Sequence, residues 1–576
     1  MVRNRARVER VERGGRRGWA AVAILTGIVA LTWIPQLDEP FGDNHLGRII
    51  GRYALHLRNL QEQGILGSHF GADWAPYAAT PYAHHPPLLN LLTAMTGLLP
   101  GDGEYQVWLP PYLLALLIIP AAAALLRAIG LRWSATLLAV GLMVATTFYW
   151  VFSPLMFDLG PILALSATVV RLRARPEPSR RLVLAACASA LLCTLVSWPG
   201  VGLAAILGLW LFAARRFDRV TILVGTSMLL GVAISLAYVV GVTGMALLGG
   251  QAELRSSGGG HTLRQILRRQ WFFVSGLLPV WYLGALPLGL VAGLLDRRSR
   301  SYLAIAAGFT AAWIFGLRNA AYVHSYWSYP LLVVGLVGMG VLLDRVTDGI
   351  APPPATAPAG QLTSRLSARS TGPLSKLLSK LLSGRLSGLL NGLLNGRLNG
   401  LLNGRLSGRL NGRLNGRLSG LLNGRLSGLL NGRGEGRGEG RRRVGVATAV
   451  LVGAALATYL GVLVAGPDRH RLLSEPAQAG RLVAGHPPPP GQRYAWVAGD
   501  GASSPRWLAY YWNLPPRLLT AATLTSEPTR PEDLVLVDLR RPPEWLSGPV
   551  EAGAVARAGP YVLVPVSVLG GGPTGS

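Results

Sequence analysis

Residues that can exchange protons or bind anions are gathered in three polar segments of this chain. The candidate site residues in these segments are Asp38, Asp43, Arg48, Arg52, His84, His85, Asp158, Arg318, His324 and Tyr326. A carboxylate can accept a proton from an attacking group, while guanidinium and imidazolium groups can bind an anion such as phosphate. These residue types therefore suit general-base chemistry beside an anion-binding site, provided that the fold brings the segments together.

The composition is that of a membrane protein. The chain has 576 residues, of which half are hydrophobic and only 14% are charged, whereas about a quarter of a soluble domain is charged. The formal net charge is +28, but the basic residues form short clusters between apolar runs rather than one amphipathic face. This pattern argues against nucleic-acid binding and suits the loops of a protein that crosses a bilayer.

Eleven apolar runs predict eleven transmembrane helices. They cover residues 18–37, 106–127, 133–152, 157–173, 182–197, 199–214, 220–248, 272–294, 302–316, 326–344 and 444–465. The long run 182–214 holds two crossings that turn at Trp198-Pro199-Gly200, because both of its flanks are basic. Segment 86–99 is shorter than the roughly 20 residues that a crossing needs, so we expect an interfacial helix there.

The basic loops predict the orientation in a bacterial plasma membrane. Residues 1–17 contain seven arginines and are expected in the cytoplasm, followed by an uncleaved anchor, since no small-residue cleavage site precedes Asp38. All candidate site residues then fall on the outer face. The loop 249–270 is also predicted outside although it is basic, and an amphipathic helix there is expected to meet lipid phosphates.

The C-terminal part of the chain is predicted to contain a linker, a last span and a small domain. Residues 346–443 hold a period-four repeat with glycine at every fourth position, which predicts a disordered cytoplasmic linker. After the last span, 444–465, residues 466–576 are expected to form a small extracytoplasmic α/β domain. Within it we expect strands at 494–497, 534–539 and 561–566 and a helix at 507–512.

Cysteines and acids give little support to a disulfide or a metal site. Cys187 and Cys193 lie six residues apart in one apolar run, on different faces of a helix, so we expect packing residues rather than a disulfide. The acids form no dense cluster. No cofactor is indicated, and a divalent ion is left open.

Three motifs follow one another with a consistent predicted sidedness. They are Asp43 with His84-His85-Pro86-Pro87-Leu88-Leu89, Asp158 after Ser153-Pro154, and Arg318 with His324-Ser325-Tyr326-Trp327. Over residues 18–345 this layout resembles the bacterial GT-C membrane glycosyltransferases, a superfamily that includes the protein O-mannosyltransferases of glycosyltransferase family 39 and the lipid A aminoarabinose transferases. The resemblance implies an all-α polytopic membrane protein with the GT-C fold, extended here by the C-terminal α/β domain.

The resemblance also implies a reaction. A sugar would move from a polyprenyl-phosphate-linked donor to a glycan, lipid or protein acceptor at the outer face, with an aspartate as general base. We expect Asp43 to be that base because it heads a helix-like stretch, with Asp38 as the alternative. The usual pattern of the superfamily is two adjacent acids followed directly by an aromatic residue. Here Pro40 separates the pair Asp38-Glu39 from the aromatic Phe41. Asp158 would supply a second acid or a helix cap.

The implied substrate-binding residues are basic or aromatic. They are Arg48, Arg52, His84, His85, Arg318, His324 and Tyr326. Arg48 and Arg52 lie one helical turn apart, and Arg318 is the first candidate for holding the lipid phosphate. Direct attack assisted by one base would invert the anomeric centre, whereas retention would need a nucleophilic carboxylate.

Other readings of the same residues stay open at this point. A transporter or flippase of lipid-linked glycans is a second hypothesis, but the spans carry almost no ionisable residues at mid-depth, where such proteins place them. A third hypothesis is a non-catalytic envelope scaffold. Taken singly, an aspartate at a helix end is usually a solvated cap, and arginines at a membrane face usually meet lipid head groups.

Overall fold

The structure is a computed structural model of the chain. It describes residues 2–350 and 475–569, except for 43, 73–82, 84, 102, 258, 500–505, 527–528 and 547–549. The predicted linker and last span therefore lie outside the described residues. So do two of the candidate site residues, Asp43 and His84.

The N-terminal part is helical throughout. Its helices are α1 (Val2–Leu37), α2 (His45–Gly67), α3 (Leu88–Thr96), α4 (Tyr105–Ile129), α5 (Trp133–Val144), α6 (Thr147–Phe152), α7 (Leu159–Ala174), α8 (Arg180–Val196), α9 (Trp198–Arg215), α10 (Arg219–Ser256), α11 (Leu263–Leu277), α12 (Val280–Leu295), α13 (Arg300–Gly316), α14 (Arg318–Val323) and α15 (Leu331–Ile350). A 3-10 turn at Ser153–Leu155 follows α6. The predicted interfacial helix within 86–99 corresponds to α3.

Within the described residues, four helical stretches are long and apolar enough to cross a membrane. They are Gly15–Leu37, Tyr105–Ile129, Trp198–Arg215 and Arg219–Ala246. Two bent helix pairs raise the number to six if each pair is one span. Helices thus occupy every described run for which we predicted a crossing, while the predicted total of eleven spans stays a prediction.

Both bent pairs break at a local signal. The run 133–152 divides into α5 and α6 with a bend of 63°, where the side chain of Thr146 caps α6 by accepting a hydrogen bond from Tyr149 N. The run 272–294 divides at Pro279, and α11 and α12 meet at 109°. Proline lacks the amide that would continue the helix, so the first part of this run turns away from α12.

Aromatic and small residues pack the bundle in different places. The ring of Trp33 on α1 lies 5.0 Å from that of Tyr112 on α4 and 5.8 Å from that of Tyr149 on α6. On the other side, Gly289 of α12 and Gly338 of α15 face each other so closely that a Cβ on either would come within 3.0 Å of the other's backbone. Such glycines let transmembrane helices approach each other.

A small α/β domain follows in the C-terminal part. Its elements are α16 (Glu475–Ala484), β1 (Ala495–Ala498), α17 (Trp507–Trp512), β2 (Pro516–Leu519), α18 (Ala521–Ser526), β3 (Leu534–Asp538), β4 (Ala556–Ala558), β5 (Tyr561–Pro565) and α19 (Val566–Leu569). The sheet order is β2-β1-β3-β5-β4. Strand β1 pairs in parallel with β2 and β3, and β5 pairs antiparallel with β3 and β4.

The three predicted strands and the predicted helix of this domain are confirmed. The predictions at 494–497, 534–539 and 561–566 correspond to β1, β3 and β5, and 507–512 is α17. Strands β2 and β4 were not predicted. Both lie at the edges of the sheet, where a strand pairs on one side only and needs no continuous apolar run.

Candidate functional site

A buried aspartate joins three segments that are far apart in the sequence. Asp158 lies just before α7, and its Oδ2 accepts hydrogen bonds from Ser197 Oγ and Tyr329 Oη, each at 2.7 Å. Only 4% of Asp158 is exposed. Its side chain makes no capping bond to α7, so the cap alternative for this residue does not describe its contacts. Asp158 instead ties the α8–α9 turn and the segment before α15 to the start of α7.

The late polar segment is held by stacked aromatic rings. Trp327 stacks on Trp313 of α13 with ring centroids 4.6 Å apart. The ring of the half-buried His324 lies 5.7 Å from that of Trp327. The ring of Tyr326 lies 6.1 Å from that of Phe152, at the end of α6. Tyr326 is therefore next to the segment that leads to Asp158, and the ring of His324 lies 5.5 Å from that of Tyr326.

An apolar pocket of about 180 Å³ opens beside these residues. Its lining consists of Trp198, Val239, Thr243, Leu248, Gln251, Ala252, Arg255, Trp313 and Leu317. Arg255 is the single charged residue of this lining, and the exposed Arg318 directly follows Leu317. An apolar cavity with one arginine in its lining suits an amphiphile that carries an anionic group.

Arg255 was missed as a site residue by sequence reasoning. The available signal was the basic loop 249–270, which contradicted the rule for membrane orientation. In the structure α10 continues past Gly244 as far as Ser256 and brings Arg255 to the pocket. The carbonyl of Leu254 accepts a hydrogen bond of 2.8 Å from Asn319 Nδ2, which fixes the end of α10 against α14.

The predicted amphipathic helix in the basic loop is α11, and its exposed face is both apolar and basic. A capping box between Thr262 and Gln265 starts the helix. Leu263, Leu267 and Trp271 are at least half exposed and recur every four residues on one face. The neighbouring Arg264 and Arg268 are exposed as well. This combination is typical of a helix that lies in a membrane interface.

The first acids lie at the end of α1. Asp38 is exposed and Glu39 is half-buried, with the carbonyl of Glu39 accepting a 2.9 Å hydrogen bond from Trp108 Nε1. Helix α2 begins at His45 with Asn44 as its N-cap. Asp43 lies outside the described residues, and in the sequence it immediately precedes this cap.

Helix α2 connects the first polar segment to the pocket. Arg48 is exposed and Arg52 is half-buried, and the next position on the same face is the buried His56. Burial lowers the pKa of His56 from 6.5 to about 3, so the ring is neutral. His56 was not singled out from the sequence, since a lone histidine in a helix carries no distinctive pattern.

A polar network extends from His56 to α10. Nδ1 of His56 lies 3.2 Å from Asn90 Oδ1, and Asn90 Nδ2 donates to Tyr238 Oη at 3.1 Å and to the carbonyl of Phe70 at 3.3 Å. The next residue after Tyr238, Val239, lines the pocket. His56 of α2 is thus linked through Asn90 to α10, the helix that lines the pocket. His85 is half-buried before α3.

No group of three or more histidine, cysteine, aspartate or glutamate side chains within metal-binding reach occurs in the part of the chain that the structure describes. The arrangement in the described residues consists instead of cations around an apolar pocket, a buried aspartate and an exposed acid.

Comparison with known proteins gives a match at the level of the fold. No protein-family model matches the chain, and no curated protein matches it. The crystal structure of ArnT from Cupriavidus metallidurans in the apo state is 17% identical with a TM-score of 0.52, and the match covers 97% of this chain and 100% of that one. The structure of the same ArnT bound to undecaprenyl phosphate is 17% identical with a TM-score of 0.51, covering 96% and 99%. The chain therefore shares the fold of ArnT over nearly its whole length, and the long apolar helices of its described residues are those of a membrane protein.

Proposed function

We propose that the chain is an integral membrane glycosyltransferase that moves a sugar from a polyprenyl-phosphate-linked donor to an acceptor on the outer face of the plasma membrane. The observation that carries this proposal is the fold shared over nearly the whole chain with ArnT, of which one structure holds undecaprenyl phosphate. The acceptor is a glycan, a lipid or a protein.

The pocket supports the choice of donor. Its apolar walls would take the first isoprenoid units, and Arg255 at the edge would face the phosphate. Arg318 would contribute further positive charge from the neighbouring segment and His324 a hydrogen-bonding ring nitrogen, and guanidinium groups bind phosphate oxygens with two parallel hydrogen bonds. Arg48, Arg52, His84, His85 and Tyr326 complete the proposed substrate-binding set.

The proposed reaction is a direct displacement at the anomeric carbon. The acceptor's oxygen or nitrogen forms the new bond to this carbon while the bond to the phosphate oxygen breaks, and polyprenyl phosphate leaves with the electron pair. The acceptor's proton passes to a carboxylate, for which Asp43 is the first candidate and the exposed Asp38 the second. Arginines that face the leaving phosphate stabilise the charge that develops on it.

Asp158 would act differently from these two acids. Its carboxylate is buried and accepts bonds from two hydroxyl groups, which leaves it poorly placed to meet an acceptor in water. We assign it the positioning of the late segment that carries His324 and Tyr326. A second acid acting directly on substrate remains the alternative for Asp158.

The orientation belongs to the same proposal. The pocket and the exposed Asp38 would face the outside, together with the C-terminal domain, and residues 1–17 would lie in the cytoplasm. The transporter hypothesis finds less support, because the charges of the four described spans stand at or near the span ends, as with Arg127, Arg215 and Arg219.

The test is transfer by the purified protein in lipid nanodiscs. Labelled polyprenyl-phosphate sugars are supplied with a membrane extract as the source of acceptor, and the labelled product is quantified. We expect transfer by the wild type and a loss of about 10³-fold in Asp43→Asn, within the range that general-base catalysis contributes. Glu62→Gln, at an exposed acid of α2, is the matched control and should retain activity. Absence of transfer by the wild type, or full activity of both Asp43→Asn and Asp38→Asn, would refute the proposal.

A further inference from the structure

The chain between the first acids packs against the C-terminal domain at Phe41 and Gly42. We call residues 38–44 the acid segment. At its centre Phe41 is fully buried, with its ring centroid 5.6 Å from that of Trp108 on α4 and 5.3 Å from that of Tyr510 on α17. A third ring, that of Tyr511, lies 6.3 Å away. Phe41 therefore sits in an aromatic cage built jointly by a helix of the bundle and a helix of the C-terminal domain.

One hydroxyl group joins the acid segment to both of these elements. The amide of Phe41 donates to Tyr511 Oη at 2.8 Å, and Tyr511 Oη donates to Glu104 Oε1 at 2.9 Å. Burial raises the pKa of Tyr511 far above its usual value, and the negative charge of the nearby Glu104 raises it further, so the phenol keeps its proton. Since the phenol has a single proton, the directions of both bonds are fixed.

Backbone contacts hold the acid segment from the other side. A Cβ on Gly42 would overlap the backbone of Pro476 in α16, and a Cβ on Gly480 would overlap the carbonyl of Phe41. Between these contacts lies a cavity of about 20 Å³ whose lining includes Glu39 and Ala477. This volume is large enough for one water molecule. Phe41 and Gly42 therefore cannot move closer to α16 while the domain stays in place.

Helix α17 is itself anchored to α2. Arg58 donates to the carbonyls of Ala509 and Tyr510 and, at 3.0 Å, to Asn513 Oδ1. The guanidinium also stands 5.2 Å from the centre of the Tyr510 ring. Arg58 thus occupies the C-terminal end of α17, where a positive charge stabilises a helix. The domain, α2 and the acid segment are fixed to one another by separate contacts.

We propose that Tyr511 of the C-terminal domain is a positioning residue of the transferase site, which sets the acid segment through Phe41 N and Glu104. This inference rests on the proposed function, because the segment matters for catalysis only if its acids take part. A carboxylate displaced by about 1 Å loses about 10²-fold in rate. The C-terminal domain then contributes to catalysis by holding the acid segment in place.

The test compares variants that differ by single groups. Tyr511→Phe keeps the ring and removes the hydroxyl, and we expect kcat to fall about 10- to 100-fold with an unchanged KM for the donor, whose pocket shares no lining residue with this contact. Glu104→Leu should behave similarly, and adding it to Tyr511→Phe should cost little more, because both remove one network. Glu104→Gln keeps an acceptor oxygen and should restore most of the activity. The control, Tyr494→Phe, makes the same change elsewhere in the domain.

A second measurement reports on the acid segment without requiring activity. Amide hydrogen exchange of residues 38–44 should be faster in Tyr511→Phe than in the wild type, since the bond from Phe41 N is lost, and should be unchanged in Tyr494→Phe. If the wild type is active and Tyr511→Phe has the same kcat and the same exchange rates, the positioning role is overturned while the proposed function stands. An inactive wild type would instead refute the proposed function, and with it the catalytic part of this inference, while faster exchange would still establish the contact. Equal losses in Glu104→Gln and Glu104→Leu would also count against the proposed network.

Discussion

Arginines at the two ends of the helical bundle meet different partners. Helix α13, whose 17 residues span about 25 Å at 1.5 Å per residue, separates the two ends. The N-terminus of α13 lies at the end that we call the aspartate-paired end. There Asp344 forms ion pairs with Arg132 and Arg298 at 3.0 Å each, and Asp296 forms one with Arg298 at 2.9 Å. The guanidinium of Arg298 holds the pKa of Asp296 below its usual range.

The other end of α13 leads to the pocket. This pocket end carries the arginines Arg255, Arg264, Arg268 and Arg318. Among the described residues, none of these four forms an ion pair with a carboxylate of the chain. We propose from this difference that the arginines stabilise the fold through ion pairs at the aspartate-paired end and bind an anionic ligand at the pocket end. Each prediction below would break or sharpen this division.

Among the predictions that bear on this division, the largest effect is expected for Arg318→Ala. If this arginine faces the leaving phosphate, turnover should fall about 100-fold, equivalent to about 2.7 kcal/mol of transition-state stabilisation. The melting temperature should not change, because the side chain is exposed. Arg297→Ala, at an exposed arginine of the aspartate-paired end, is the control for activity. Wild-type turnover in Arg318→Ala would remove the main reason to separate the two ends.

A stability effect is expected at the aspartate-paired end. Asp344→Ala leaves Arg132 and Arg298 without the carboxylate that joins them, and the free energy of unfolding should fall by about 2 kcal/mol, as for other hydrogen bonds to charged groups. Thermal unfolding in detergent measures this change. Donor titration of the same variant should give the wild-type affinity, and weaker donor binding would show that this end contributes to the site.

The smallest effect concerns pH and the buried His56. Its pKa is lowered to about 3 in the folded state, against 6.5 for an ordinary histidine. Below pH 6.5 the unfolded chain therefore binds a proton that the folded chain refuses, and stability is lost as the pH falls. Between pH 7.5 and 5.5 the loss is about 1 kcal/mol.

The variant His56→Gln tests this interpretation. Glutamine can still bond to Asn90 but does not titrate, so the drop in melting temperature between pH 7.5 and 5.5 should be smaller than in the wild type. His69→Gln changes an exposed histidine of the same segment and should leave the drop unaltered. An identical pH dependence in His56→Gln would mean that other groups cause it.

Local patterns in the sequence predicted elements better than contacts. The apolar runs gave the positions of the helices, and the apolar stretches at 534–539 and 561–566 gave the central strands, because burial on both sides demands continuous apolar sequence. The breaks at Thr146 and Pro279 carried local signals, a cap and a proline, that the hydrophobic runs concealed. The order of motifs also predicted the fold that the comparison with ArnT confirmed.

Contacts between distant segments could not be predicted in this way. Ser197, Tyr329 and Tyr511 are unremarkable residues in the sequence, and only the folded chain brings the first two to Asp158 and the third to Phe41. The pocket was missed for the same reason, because its lining comes from α9, α10 and α13. The roles assigned to the candidate site residues stay predictions.

The paired glycines Gly42 and Gly480 have a consequence for the evolution of such chains. Each meets backbone atoms of the other's segment, so a methyl group at either position would separate the C-terminal domain from the acid segment. Among homologues that keep this contact, both positions should remain glycine, because each faces backbone atoms that no change at the other position removes. A C-terminal domain exchanged between distant homologues should work only when residues 40–42 are exchanged with it.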